Sequence, residues 1–434
     1  MCMSFLQIKQ SLAIATCFAL MACGGGSKLA APASAATTEL ISMPSALPPT
    51  TPTTTTMSGP ASSVASLKLT ATSVATGLAN PWGMAFLPDG QLLVTERAGS
   101  LRLVSIASGT VSAAISGLPA VNSAGQGGLL DVALDPAFAS NQRIYVTFSE
   151  NDDTNSSLSG TAVARAELNL GSLSLSKLQV IFRQTPKVAS SGHFGSRLVF
   201  DQSGYLWVAL GDRQTNEQRG YAQDLARGNG KVMRITTDGA PAPGNPFATT
   251  ANAQPAIWSY GHRNPQGAAM HPTTGELWVN EHGPQGGDEL NLAMPGKNYG
   301  WPVISYGQEY GTTTPVGEGT AKAGMEQPVS FWLTRDGSVY NGGSKSSIAP
   351  SGMAFYQGDK LPEFQGNIFL GALAGQALWR VVLGGADGRQ EVFRERLLAG
   401  LGERIRDVRM GPDGWLYVLT DSGAGRVMRV TAVR

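Results

Sequence analysis

The sequence predicts an all-β chain built as a six-bladed β-propeller. Three observations carry this reading. One hairpin unit recurs about six times, 54 glycines and 25 prolines in 434 residues make turns frequent, and no stretch after Leu67 spaces its apolar residues with a helical period. In each unit an apolar pair runs into a Pro/Asp/Gly turn and then into a strand. Met84-Ala85-Phe86-Leu87-Pro88-Asp89-Gly90 leads into Gln91 to Thr95, and Val132-Ala133-Leu134-Asp135-Pro136 into Arg143 to Phe148. Leu198 to Gly204 leads into Tyr205 to Leu210, and Met270-His271-Pro272 into Glu276 to Val279. Met353 to Tyr356 precedes Asn367 to Leu370, and Met410-Gly411-Pro412-Asp413-Gly414 precedes Trp415 to Leu419. Radial repetition of such hairpins protects sheet edges. A β-sandwich would need fewer repeats and leaves the shared turn unexplained. The uneven spacing keeps seven blades open beside six, and helices are expected only as short pieces within loops.

The propeller is expected to fill residues 67–434. Ahead of it, Lys9 and the apolar stretch Ser11 to Met21 make a targeting segment too short to span a bilayer. Leu20-Met21-Ala22-Cys23-Gly24 resembles a bacterial lipobox, which implies that residues 1–22 are removed and that Cys23 becomes a lipidated first residue. By the same resemblance, Gly24 favours the periplasmic side of the outer membrane, with the membrane engaged only through the lipid anchor. The alternative is an ordinary cleaved signal and a soluble periplasmic protein. Residues 23–66 are rich in Ala, Ser, Thr and Pro and almost free of charge, so they read as a tether rather than a folded unit. Its span would be about 35 Å as a coil and about 120 Å as polyproline II. Cys2, Cys17 and Cys23 are the only cysteines, so the mature body has neither disulfide nor thiolate metal site. A net charge of +1 with 15% charged residues argues against nucleic acid as a partner.

Polar chemistry gathers in two loops, Ile257-Trp258-Ser259-Tyr260-Gly261-His262-Arg263-Asn264-Pro265-Gln266-Gly267 and Glu281 to Asn291, which bracket a strand-like run from Gly275 to Asn280. Such density of charge and amide beside glycine and proline is poor core material and good site material. A third loop, Ser190 to Arg197, carries His193 between glycines, where its ring is expected to be exposed at a pocket as a general base; a turn histidine is the bland alternative. Asp212 closes the next strand and either orients that imidazole or caps a loop. Arg404 and Arg406, two apart in a strand, share a side and either clasp a ligand with several carboxylates or belong to a solvated face with Arg394, Arg396 and Arg409. The Gly125-Gln126-Gly127-Gly128 turn precedes no helix and so suggests no nucleotide fold. With four scattered histidines zinc is unsupported, and the oxygen ligands near Gly283, Pro284, Asp288 and Glu289 suit calcium better.

Taken in order, GQGGLLDVALDP, HFGSRLVF with LGD, YGHRNPQG, EHGPQGGDELN with KNYGWP, IAPSG, and RIRDV with GPDGWLYVLTD resemble the soluble sugar dehydrogenases that use pyrroloquinoline quinone (PQQ), especially the bacterial aldose branch. The resemblance covers Leu67 to Arg434 and implies a six-bladed propeller. It implies that His193 takes the proton of the anomeric hydroxyl of an aldose while hydride passes from C1 to PQQ, giving a lactone, with Asp212 as its acidic partner. Gln126, Arg263 and Asn264 match cofactor contacts, Arg263 also stabilising charge on the reduced quinone. Arg404 and Arg406 match the pair that binds PQQ carboxylates, and Ala349, Pro350, Ser351 and Tyr310 would line the same site. The Gly283 and Pro284 carbonyls match ligands of a calcium ion, while Glu289 and Tyr299 resemble positions at a second, structural calcium. A quinone or dye outside the cytoplasm would receive the electrons. One departure stands out: Ala374 occupies the place of a lysine that usually contacts PQQ.

Two other readings stay open at this point. A calcium-dependent propeller hydrolase of sugar lactones would need no arginine pair, and a tethered, non-catalytic binding propeller would leave His193 and Asp212 unexplained.

Overall fold

A computed structural model describes residues 66–433, so the expected signal segment and all of the expected tether except Ser66 lie outside the described residues. Six small antiparallel sheets form the blades of a propeller. After β1 (Leu69–Leu78), blade 1 is β2 (Pro81–Phe86), β3 (Leu92–Glu96) and β4 (Ser100–Val104). Blade 2 is β5 (Leu129–Leu134), β6 (Arg143–Asn151), β7 (Ser159–Asn169) and β8 (Ser174–Arg183); blade 3 is β9 (Gly195–Phe200), β10 (Leu206–Leu210), β11 (Lys231–Ile235) and β12 (Ile257–Tyr260). Blade 4 is β13 (Pro265–Met270), β14 (Leu277–Glu281), β15 (Asp288–Leu292) and β16 (Ser330–Trp332). Blade 5 is β17 (Pro350–Phe355), β18 (Ile368–Ala372), β19 (Ala377–Gly384) and β20 (Gln390–Leu397), and blade 6 is β21 (Ile405–Met410), β22 (Leu416–Thr420) and β23 (Gly425–Ala432). The ring closes where β1 becomes the fourth strand of blade 6, with Leu69 opposite Ala432 and Leu78 opposite Gly425. The six recurring units are the first hairpins of the six blades. The only α-helix among the described residues is the single turn Phe138–Asn141, as the missing helical period implies.

The second strands explain why the repeat shows runs of apolar residues rather than alternation. β3, β10, β14, β18 and β22 are buried at every position. A strand covered on both faces needs apolar residues throughout. The core is accordingly divided into wedges between neighbouring blades. Leu93 and Leu101 pack with Val132 and Phe148, Tyr145 and Val163 with Val208 and Met233, and Trp207 with Val279. Trp278 and Leu290 meet Ile368 and Trp379, Phe369 and Leu378 meet Val418 and Val430, and Tyr417 meets Met84 and Leu92 across the closure.

On the axis the inner strands meet around buried charge. The Arg197 guanidinium lies 2.9 Å from Asp131 Oδ1 and 3.1 Å from Asp407 Oδ1, while its Nε donates to the Gln266 carbonyl. Arg409 bridges the same two aspartates at 3.0 Å. The inner strands of blades 1 and 5 approach this hub so closely that a Cβ on Gly83 would sit 2.6 Å from Asp131 Oδ1, and one on Gly352 1.9 Å from Asp407 Oδ1. Arg409, expected beside a solvated face, is thus a strut between blades 2 and 6.

Candidate functional site

In every blade the inner and second strands are antiparallel and their pairing slips once near the end where the inner strand begins, between Pro81 and Met84, Leu129 and Val132, Pro265 and Gly267, Pro350 and Met353, and Ile405 and Asp407, with the matching slip in blade 3 at Val208/Leu210. Such bulges bend a strand and re-aim its side chains. The segments entering the inner strands therefore converge with those leaving the second strands at one mouth. Gln126, His193, Arg263 with Asn264, Ala349 and Arg404 enter; Arg97, Asp212, His282 with Gly283, Leu373 and Asp421 leave.

His193 is not the exposed ring its glycine neighbours suggest. It is 3% exposed, with Nδ1 2.7 Å from Asp212 Oδ1 and its backbone N–H donating to Gln126 Oε1 at 2.9 Å. The glycines serve tight packing instead: a Cβ on Gly192 would fall 1.7 Å from the Gln214 side-chain oxygen. Burial, and then the Arg263 charge, hold the imidazole below its ordinary pKa, so it is neutral at pH 7 despite its acidic partner. Burial works against the Asp212 charge, but His193, Arg263 and the Gln214 N–H outweigh it and keep the carboxylate ionised. Its second oxygen accepts the Trp301 indole N–H at 2.7 Å, so both ends of the carboxylate are fixed.

Arg213, which the sequence reading passed over, holds this loop in place. Its Nε donates to the Gly192 carbonyl at 2.9 Å and its Nη1 to the Ser159 carbonyl at 2.7 Å. The guanidinium stacks 3.7 Å above the Phe194 ring, and burial pushes its pKa down to about 9. Only its position directly after Leu-Gly-Asp hinted at such a role.

Arg263 is 4% exposed. Its guanidinium donates to the His282 and Gly283 carbonyls and, at 3.1 Å, to the Tyr310 hydroxyl, while Nε has no partner. Asn264 accepts the Gly195 N–H at 3.1 Å and leaves its Nδ2 buried without an acceptor. Tyr310 is otherwise 62% exposed.

The mouth contains a cavity of about 390 Å³ bounded by Trp82, Arg97, Gln126, Gln266, His282, Ala349, Leu373, Arg404, Arg406 and Asp421. Arg404 and Arg406 come together as the two-residue spacing suggests, but share one carboxylate oxygen: Asp421 Oδ2 accepts from them at 2.9 and 3.0 Å. Gln266 Oε1 takes a further Arg406 N–H at 2.8 Å, and Arg406 Nε is buried without a partner. Of the run Ala349 to Ser351, Ala349 alone borders the cavity. Ser351 is fully buried behind it, its hydroxyl donating to the Ile405 carbonyl at 2.7 Å, because it already belongs to the inner strand β17. Leu373 bounds the cavity next to Ala374, whose N–H is spent on the Ile348 carbonyl at 3.0 Å. The volume lies in the range of small-molecule sites, and unpartnered buried guanidinium N–H groups suit an anionic, carboxylate-bearing guest such as PQQ.

Among the described residues no group of three His, Cys, Asp or Glu side chains is arranged to hold a metal, so a calcium here would depend on backbone oxygens. At Gly283 that oxygen already accepts an Arg263 N–H, so a cation would use its second lone pair. The second expected site fits more directly. Glu289 is buried beside Glu281; burial first, then that second charge, pushes its pKa up to about 8. Both border a void of about 10 Å³, the space of one small occupant. Tyr299 can offer it only a backbone oxygen, because its hydroxyl is bonded to the Leu292 carbonyl and the Met294 N–H.

A glucose/sorbosone dehydrogenase family model matches residues 78–429. The aldose sugar dehydrogenase YliI of Escherichia coli is 46% identical over 82% of this chain and 90% of that protein. A crystal structure described as the apo form of the soluble E. coli aldose sugar dehydrogenase superposes with a TM-score of 0.76 at 43% identity, covering 84% of this chain and all of the other. The PQQ-bound aldose sugar dehydrogenase of Streptomyces coelicolor superposes with a TM-score of 0.66 at 29% identity, covering 85% of this chain and 99% of that one.

Proposed function

The chain belongs to the glucose/sorbosone dehydrogenase family, and from that premise we propose that it oxidises the anomeric C1 hydroxyl of aldose sugars to lactones, with a hydride passing to PQQ in this mouth and the electrons onward to a quinone or dye acceptor. The observation that carries the reading is the His193–Asp212 pair, joined through Gln126 to the wall of an arginine-rich cavity. Bound there, PQQ would supply the two-electron acceptor, and calcium at the Gly283 and Pro284 carbonyls would polarise its reactive carbonyl. Asp212 holds Nδ1 as the N–H side of the ring, which leaves Nε2 as the basic lone pair. Nε2 takes the hydroxyl proton as C1 gives up its hydride, so one O–H and one C–H bond break and a C=O bond forms. Arg263 supplies fixed positive charge in a dry setting where it costs no reorganisation, and Arg404 and Arg406 bind carboxylates.

The test is reconstitution of the purified protein with PQQ and calcium, followed by dye reduction with a panel of aldoses. Sugar-dependent reduction that needs both additions supports the reading. No reduction, together with no spectral change on titration with PQQ, overturns it. The pH profile is a second expected result. Because the imidazole pKa is held below its ordinary value of 6.5, the base form is the majority species at neutral pH. The rate constant kcat/KM is therefore expected to level off between pH 7 and 8 and to fall on the acid side, approaching tenfold per pH unit. A profile still rising between pH 7 and 8 would contradict a neutral His193.

Export and lipid attachment at Cys23 are part of the same proposal. Metabolic labelling with a radioactive fatty acid should mark the wild-type protein and not Cys23→Ala. Equal absence of label from both would favour a soluble periplasmic protein.

A further inference from the structure

The cavity holds more positive charge than its known partners balance. Arg404, Arg406 and Arg97 all face it, and Asp421, the one carboxylate among its lining residues, is spent on the first two. Arg97 is different. Its neighbour Glu96 would be the natural counter-ion, but one Glu96 oxygen accepts the Ala79 N–H at 2.7 Å and the other binds Arg102 at 2.8 Å. No Asp or Glu among the described residues forms an ion pair with Arg97; the hydrogen bond of its guanidinium goes from Nη1 to the Gly125 carbonyl. A guanidinium carries five N–H donors, so most of this fork is left for a guest.

The backbone around Arg97 is held firmly enough to aim it. Its N–H donates to the Asn80 carbonyl at 3.1 Å, and its own carbonyl accepts the Leu129 N–H at 3.1 Å, pinning it across the joint between blades 1 and 2. Gly128, at φ +137°, lies so close that a Cβ there would be 1.9 Å from the Arg97 carbonyl oxygen.

We propose that Arg97 is a third anion-binding arginine of this mouth, taking a carboxylate of the cofactor that the Arg404/Arg406 pair does not hold. This rests on the PQQ reading above and deepens it: the guest must carry at least two separated anionic groups. Arg97 also ties that anion to the catalytic loop, because the Gly125 carbonyl it grips precedes Gln126, whose side chain accepts the His193 backbone N–H.

The experiment is titration of the full-length protein, in calcium, with PQQ and with its trimethyl ester, followed by fluorescence quenching, for wild type, Arg97→Gln and Arg97→Lys. Arg97→Gln should weaken PQQ binding at least tenfold while changing affinity for the uncharged ester less than threefold, and Arg97→Lys should recover part of the loss. Equal PQQ affinity in wild type and Arg97→Gln overturns the inference, as does an equal loss for PQQ and ester, which would mark Arg97 as a loop support only. Failure of wild type itself to bind PQQ would instead overturn the reading on which the inference rests.

Discussion

Replacing His193 by alanine is expected to lower kcat for sugar oxidation by about 10²–10⁴-fold, the range for loss of a positioned general base. PQQ affinity should change little, while the melting temperature should fall by the cost of the cavity that the buried ring leaves. His193 meets the arginine-rich cavity through its backbone N–H, which Gln126 accepts and which alanine keeps. Asp212, although buried, retains the Trp301 indole N–H at 2.7 Å and the Gln214 N–H at 2.7 Å, so no carboxylate is stranded. Single-turnover reduction of the bound cofactor by an aldose would measure the step directly. A kcat within tenfold of wild type would mean that another group takes the proton. Asp212→Asn separates positioning from basicity: the ring stays, but the amide can present its N–H to Nδ1 and turn the basic lone pair away from the sugar.

Arg197→Met is expected to have the largest effect on stability. It leaves Asp131 and Asp407 in a fully buried hub with only Arg409 between them. Burial already pushes the Asp131 pKa upward against the pull of Arg197 and Arg409. Breaking a buried pair by removing one partner costs about 3–5 kcal/mol, and the surviving Arg409 places the expectation at the lower end. Urea unfolding would show it as a lower midpoint at unchanged slope. The double variant Arg197→Met/Asp131→Asn should regain part of the loss, since it no longer strands that charge. A midpoint unchanged in the single variant would mean that the hub orders the blades without stabilising them.

The fold was legible because the physics that sets it is local and repeated. A second strand covered on both faces must be apolar at each step, and the turn preceding it is written in Pro, Asp and Gly, so the six hairpins could be counted. The convergence of His193, Asp212, Arg263, Arg404 and Arg406 was harder to see, since it depends on antiparallel pairing bringing strand starts beside strand ends. It became readable only through motif resemblance. Burial of individual side chains was not legible. His193 looked exposed because glycine flanks it, yet those glycines let Gln214 and Asp212 close over it. Arg409 looked solvated because nothing in its neighbourhood names Asp131, 278 positions away, as its partner. Arg97 and Arg213 were missed for the same reason: an arginine bonded to backbone carbonyls leaves no pattern in sequence.

The closure of the ring also fixes an order of events during synthesis. Strand β1 leaves the ribosome first, but its partner β23 emerges roughly 350 residues later, which at about 5–20 residues per second is a wait of tens of seconds. A long apolar edge exposed for that time would recruit neighbouring chains. Leu-Thr-Ala-Thr-Ser-Val-Ala-Thr-Gly-Leu is instead a strand of hydroxyls and small side chains, buried at only three of its ten positions even after closure. The seam of the propeller is thus made from a segment that tolerates remaining unpaired, and nascent chains have little to stick to until the last hairpin arrives.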